Sequence, residues 1–167
     1  MNDQSQTLPN GLSFWDPAAL ISTWFGCGLL PKAPGTWGSL AALPLAWVIA
    51  DKFGAYALIG AGIAAFLLGL WSCQKYLEHA REKDPGSIVI DEVAGVMLSL
   101  VPAVLPQGPD IIAFGLGFIL FRIFDIMKPW PVNWLENKFE GALGVMLDDV
   151  GAALYAGICI SIYLLIS

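Results

Sequence analysis

The chain has 167 residues, of which 57 % are hydrophobic and only 13 % charged, and its mean hydropathy is +0.69. Because ordinary soluble domains carry about 25 % charged residues, this composition excludes a typical soluble domain and indicates one membrane-embedded domain. The net charge of −6 excludes a general binder of nucleic acids, and three scattered cysteines favour neither a zinc site nor a disulfide framework.

The first part of the chain predicts an arm rather than a membrane span. Residues 1–13 contain no Lys or Arg, so we expect no secretory signal with its basic leading region. Residues 14–30 are apolar but interrupted by Asp16 and by Gly and Pro, which favours an interfacial or re-entrant segment. We therefore divide the chain into an N-terminal arm, residues 1–22, whose flexibility the sequence leaves open, and a helical domain, residues 23–167.

Five later segments are apolar enough to enter a bilayer deeply. One of them, residues 54–73, has 20 uncharged residues, which matches the ~20 that a spanning helix needs. We predict an all-α, polytopic membrane helical bundle with four to five membrane-embedded helices plus the interfacial arm. The segments are residues 33–50, 54–73, 93–107, 111–127 and 150–167.

The basic residues give the bundle an orientation. If the region before residue 33 is cytoplasmic, seven of the eight basic residues lie inside, and only Lys52 lies in a far turn. The first two segments then form an out-and-back hairpin. The same orientation places a set of acids within or beside apolar segments at the inner face: Asp91, Glu92, Asp125, Asp148 and Asp149.

Carboxylates gathered in one layer repel each other unless a cation lies between them. Oxygen ligands without a cysteine–histidine cluster favour a hard cation such as Mg²⁺, which also binds substrate phosphates. The alternative is that each acid stabilises the start of a helix. That alternative accounts for Asp91 or Asp148 singly, but it does not account for Asp125, which lies near the end of a helix.

Two further groups could bind phosphate. The run from Pro34 to Ser39 is typical of a loop that opens onto a helix, where free N–H groups bind anions, although it also fits an ordinary helix cap. Arg122 and Lys128 could hold a phosphate or simply neutralise Asp125.

The only histidine, His79, fits a solvated loop residue, so phosphatases that use paired histidines are excluded. No cysteine is followed by an arginine at the spacing of cysteine phosphatases, and Asp-x-Asp is absent. Any phosphoryl chemistry must therefore depend on carboxylates and metal.

Four motifs in order, residues 28–39, 86–95, 121–131 and 144–150, resemble phosphatidylglycerophosphatase A. The resemblance implies a multi-pass enzyme of the bacterial inner membrane whose active site faces the cytoplasm. It also implies Mg²⁺-dependent hydrolysis of phosphatidylglycerophosphate to phosphatidylglycerol and inorganic phosphate, with membrane lipids and no nucleic acid as partners.

The family's motif positions imply a set of site residues. Asp91, Glu92, Asp125, Asp148 and Asp149 would bind metal, and Asp91, Asp125, Asp149 and Lys128 would be catalytic. Lys32, Thr36, Ser39 and Arg122 would bind the substrate phosphate. The nucleophile stays open between a metal-bound water, with Asp149 as one possible base, and a carboxylate that forms a phospho-aspartate. The oligomeric state stays open too.

Two other functions fit the sequence less well. A small ion transporter would place acids at mid-depth in several helices, whereas here they cluster at one interface beside cations. A CDP-alcohol phosphotransferase would also need metal, but its long Asp-Gly…Asp signature is absent.

Overall fold

A computed structural model describes residues 7–105 and 108–166, without the side chains of residues 135–137. Within those ranges the chain contains six α-helices, two short 3₁₀ turns and no strand, which confirms the all-α prediction. The helices are α1 (Pro17–Ser22), α2 (Pro34–Leu77), α3 (Ile90–Ser99), α4 (Ile111–Met127), α5 (Val132–Lys138) and α6 (Ala142–Ile166).

The long helix α2 reverses direction at Gly54, whose φ of 79° and ψ of −175° are not helical. A straight helix of 44 residues would be about 66 Å long. Yet Gly38 lies against Val89 and Gly69 lies against Ile90, so both ends of α2 meet the start of α3. The helix therefore consists of an outgoing arm, residues 34–53, and an antiparallel returning arm, residues 55–77. This is the hairpin that the sequence predicts.

Helix α3 lies at the centre of the fold, packed against α2, α4 and α6. Eight of its ten residues are buried, because it is surrounded by protein on all sides. At Gly95 the ring of Phe121 from α4 and the Cβ of Asp149 from α6 both approach the α3 backbone, where any side chain would collide with the ring. Three helices therefore meet close to the first turn of α3.

The number of helices able to cross a membrane is smaller than predicted. By length and composition, α2 and α6 qualify, which is fewer than the four to five expected. The described part of segment 93–107 is the short α3 followed by a 3₁₀ turn, Val101–Val104. Helix α4 has 17 residues, about 26 Å, which is shorter than the roughly 30 Å hydrocarbon core of a bilayer. Large apolar side chains are nevertheless exposed along both arms of α2, α4 and α6.

The N-terminal residues are tied to the start of α3. The Val89 amide donates a hydrogen bond of 2.8 Å to the Ser22 carbonyl at the end of α1. Gly28 contacts the Ser87 carbonyl so closely that a side chain there would collide with it. The hydroxyls of Tyr76 and Ser87 share a buried hydrogen bond of 2.7 Å. Together these contacts fix the loop that enters α3.

Candidate active site

Three carboxylates from two helices meet at the crossing of α3 and α6. Asp91 and Glu92 lie in the first turn of α3, and Asp149 lies in α6. Each offers a ligand oxygen, and these oxygens lie within 4.8 Å of one another. Asp149 is only 2 % exposed and Asp91 is 9 % exposed. The close approach of α6 at Gly95 brings the third acid to the other two.

Each of the three acids has a buried oxygen without a hydrogen-bond partner among the described residues: Asp91 Oδ1, Glu92 Oε2 and Asp149 Oδ2. A buried, unpartnered polar atom is costly, and more so when it belongs to a charged group. A hard divalent cation would satisfy all three oxygens at once, since Mg²⁺ prefers oxygen ligands. These three residues therefore fit a magnesium site.

The surroundings disfavour the charged forms of the α3 acids when no cation is bound. Burial raises the pKa of Asp91 well above its usual range, and the neighbouring Glu92 carboxylate raises it further. Burial likewise raises the pKa of Glu92 to about 7, although the nearby Arg122 acts in the opposite direction. A bound cation would lower both pKa values because it favours the charged carboxylates.

Arg122 links Asp125 to this cluster. Its Nη1 atom lies 2.8 Å from Asp125 Oδ2 and 3.5 Å from Glu92 Oε1. Asp125 occupies the last turn of α4, where the helix dipole disfavours an acid, so the adjacent guanidinium compensates for its position. The ion pair of Arg122 with Asp125 is thus present, and the phosphate-binding role of Arg122 stays a prediction. The Arg122 Nε atom is buried without a described partner.

Lys128 pairs with a different acid from Asp125, which was one of its two predicted partners, the other being a phosphate. Its Nζ atom lies 2.7 Å from Asp148 Oδ2. The difference arises because Lys128 ends α4 in a left-handed conformation, with a φ of 42°, and α6 passes beside it. Asp148 and Asp149 also lie inside α6, which begins at Ala142, so stabilisation of a helix start does not explain them.

The predicted phosphate-binding run, residues 34–39, contacts the acid cluster at Gly35. Gly35, in the first turn of α2, lies against the Glu92 carboxylate, and a Cβ there would overlap it. Ser39 is buried and donates a hydrogen bond of 2.8 Å to the Gly35 carbonyl, so its proton is engaged within the helix. Thr36 is half-buried, and Lys32 is exposed just before the helix begins.

Asp84 is an additional acid near the site that was not among the predicted site residues. Asp84 and Asp148 line the same cleft, and the Asp84 charge contributes to the raised pKa of both Asp91 and Glu92, after burial. The only available signal was an acid seven residues before Asp91, which is weak by itself. His79 is exposed, with its Nδ1 3.2 Å from the Lys75 carbonyl, in agreement with a solvated loop residue.

Comparison with known proteins identifies the family. A family model described as phosphatidylglycerophosphatase A matches residues 20–164. The chain belongs to the phosphatidylglycerophosphatase A family. The matched region of this family member contains all five acids of the site and both cations that pair with them. The predicted resemblance is thus confirmed, and so is the prediction that the chain is an enzyme, a phosphatase.

Individual relatives agree with this assignment. A Haemophilus influenzae phosphatidylglycerophosphatase A is 40 % identical over 149 residues, covering 89 % of this chain and 90 % of the relative. The Escherichia coli K12 phosphatidylglycerophosphatase A is 36 % identical over 144 residues, covering 86 % and 81 %. A Bacteroides thetaiotaomicron protein, whose name proposes it as a phosphatidylinositol-3-phosphatase, is 39 % identical over 155 residues, covering 86 % and 91 %. No solved structure matches the chain.

Proposed function

We propose that the protein removes the terminal phosphate of phosphatidylglycerophosphate, yielding phosphatidylglycerol and inorganic phosphate in phospholipid synthesis. We further propose that the reaction depends on Mg²⁺ and takes place at the cytoplasmic face of the bacterial inner membrane. Family membership supports the phosphatase activity. The observation that carries the metal dependence is the group of three buried, unpartnered carboxylate oxygens on Asp91, Glu92 and Asp149.

In this proposal each charged residue has a distinct role. Asp91, Glu92 and Asp149 would hold Mg²⁺, which when bound would stabilise phosphoryl oxygens and acidify a coordinated water. Arg122 and Lys128 neutralise Asp125 and Asp148, so that the excess negative charge is concentrated on the other three acids. The nucleophile stays open between a water, for which Asp149 would be the base, and a carboxylate that forms a phospho-aspartate.

The remaining predicted residues would contact the phosphate. Thr36 offers a hydroxyl in the first turn of α2, near the Gly35 backbone that touches Glu92. Lys32 is exposed at the same helix start and could attract an anionic headgroup from the membrane surface. The Arg122 Nε atom, buried and unpartnered, is a further donor beside the carboxylates.

The arrangement of the long helices supports a membrane location. Both arms of α2 and the helix α6 run away from the acid cluster, so three passes would leave the site at one end. The reversal at the far end carries Asp51 and Lys52 as an exposed ion pair of 2.8 Å. The excess of Lys and Arg near the site favours the cytoplasmic side for that end.

The direct test is phosphate release from phosphatidylglycerophosphate in detergent micelles by the purified protein, with Mg²⁺ and with a chelator. We expect Asp149→Asn, Asp91→Asn and Glu92→Gln each to lower kcat by about 10² or more, because each removes one cation ligand. Asp51→Asn is the matched control, since this exposed acid lies beside the reversal of α2, away from the ends of the helix that meet the site. Undiminished turnover in the chelator would refute the metal dependence.

The identity of the headgroup needs its own test. One relative is named for a phosphatidylinositol phosphate and the others for phosphatidylglycerophosphate. Both lipids carry a phosphomonoester on a polyol headgroup, so the carboxylate site would serve either one equally. Selection between headgroups must therefore depend on contacts outside the cation site.

A further inference from the structure

The cleft lined by Asp84 and Asp148 lies beside the acid cluster. Its volume is about 220 Å³, below the about 300–1,000 Å³ of pockets for drug-sized ligands but ample for a three-carbon polyol. Asp148, the immediate neighbour of Asp149, forms one part of its wall, and Asp84 from the loop before α3 forms another. The cleft thus reaches Asp148 on α6, whose neighbour in the chain, Asp149, belongs to the acid cluster.

The lining of the cleft suits a hydroxylated group better than a phosphate. Three carboxylates, from Asp84, Glu140 and Asp148, line it, and they would repel a phosphate dianion but accept hydrogen bonds from hydroxyls. Gly141 and Gly144, which have no side chains, expose their backbone to the cleft, and Phe139 also lines it. An apolar face with a few acceptors matches the carbon and oxygen atoms of a polyol.

The opening of the cleft carries an ion pair whose contribution to stability is small. Lys83 Nζ lies 3.7 Å from Glu140 Oε1, and the two side chains are 93 % and 87 % exposed. Exposed pairs of this kind add little to folding. The pair joins two separate loops across the cleft, however, and both side chains remain available to a ligand. Lys83 supplies the positive charge that a phosphodiester next to a polyol would need.

We infer that this cleft is the headgroup subsite of the enzyme: Glu140 and Asp84 accept hydrogen bonds from the polyol hydroxyl, and Lys83 contacts the phosphodiester. The inference rests on the proposed function, because it places the phosphomonoester at Asp91, Glu92 and Asp149. A lipid that carries its phosphomonoester directly on the diacylglycerol, such as phosphatidic acid, has no polyol to fill the cleft.

The test compares phosphatidylglycerophosphate with phosphatidic acid in mixed micelles containing Mg²⁺, using wild type, Lys83→Ala and Glu140→Gln. We expect each substitution to raise KM for phosphatidylglycerophosphate by about tenfold and to leave kcat within about twofold. Glycerophosphoglycerol, the soluble headgroup, should inhibit wild type competitively and inhibit each variant about tenfold more weakly. Neither substitution should alter whatever rate wild type shows with phosphatidic acid.

The matched controls are Lys75→Ala and Glu78→Gln, which break an exposed Lys–Glu pair of 3.2 Å on the returning arm of α2. We expect these controls to keep the wild-type KM and the wild-type inhibition. An unchanged KM and unchanged inhibition in the cleft variants would overturn the headgroup subsite while leaving the proposed function intact. A wild-type protein that releases phosphate from neither lipid would overturn both.

Discussion

Glu92 occupies the space where a side chain at residue 35 would otherwise lie. Its carboxylate touches the Gly35 backbone, and its Oε1 atom lies 3.5 Å from Arg122 Nη1. A glycine at the start of α2 is therefore required by the position of an acid in α3. The position of that acid depends in turn on a bare backbone in a different helix.

Gly35→Ala should impair catalysis because the added methyl group must displace the Glu92 carboxylate. We expect kcat to fall by about tenfold or more, since small displacements of catalytic groups are costly. Gly60→Ala is the control, because the space around this helical glycine is open, and it should be neutral or slightly stabilising. Equal activity in the two variants would show that the Glu92 position is not critical.

The raised pKa values of Asp91 and Glu92 make a prediction about pH and metal. A carboxyl whose pKa is raised by folding stabilises the protein at pH values below its unfolded pKa, near 4, and loses that contribution as the pH rises. Since the pKa of Glu92 is about 7 without metal, the melting temperature of chelator-treated protein should fall between pH 5 and pH 8.

Added Mg²⁺ should counteract this loss, because it binds the ionised carboxylates of the folded state. Thermal unfolding followed by tryptophan fluorescence should show an increase of several degrees with Mg²⁺ at pH 8 and a much smaller one at pH 5. An increase of the same size at both pH values would contradict the assignment of these carboxyls to the cation site.

At the scale of elements, the reversal of α2 depends on one residue. Gly54 has a φ of 79° with an extended ψ, a conformation that other residues rarely adopt. Gly54→Ala should therefore destabilise the fold by about 1–3 kcal/mol. Gly115→Ala in α4, a helical position with open space, should instead stabilise it by up to about 1 kcal/mol. Chemical unfolding monitored by circular dichroism would distinguish them, and equal stabilities would argue against strain at the reversal.

Helices with long uncharged runs were predictable because a single property, apolar length, determines them. That property identified both arms of α2 and the break between them. For residues 93–107 it wrongly predicted a helix long enough to enter the bilayer deeply. Burial by neighbouring helices produces the same apolar composition as burial in lipid. It also placed the start of α6 near residue 150, because paired acids such as Asp148 and Asp149 are typical of a helix start. In the structure α6 begins at Ala142; Asp148 pairs with Lys128, and Asp149 belongs to the buried acid cluster.

The proposed cation site was only partly predictable for a related reason. Sequence patterns place Asp91, Glu92, Asp125, Asp148 and Asp149 in one layer, but they do not say which acid pairs with a cation. Pairing depends on side-chain distances between helices that are far apart in the chain. The structure alone separates the three acids with unpartnered oxygens from Asp125 and Asp148, which bind Arg122 and Lys128.

The whole molecule has a polar end and an apolar body, which predicts its orientation in a cell. Asp51 lies at the reversal of α2, whereas Glu82 lies in the loop beside the acid cluster. In a background without native cysteines, Asp51→Cys should react with a membrane-impermeant thiol reagent in intact spheroplasts. Glu82→Cys should react only after lysis. Labelling of both positions from the same side would show that α2 does not cross the membrane.

The order in which the carboxylates occur along the chain has a consequence for biosynthesis. Asp91 and Glu92 leave the ribosome well before Asp149, which belongs to the later helix α6. Until α6 packs against Gly95, the nascent protein has only two of the three carboxylates of the proposed cation site. Closure of that site therefore has to wait for the synthesis and packing of α6.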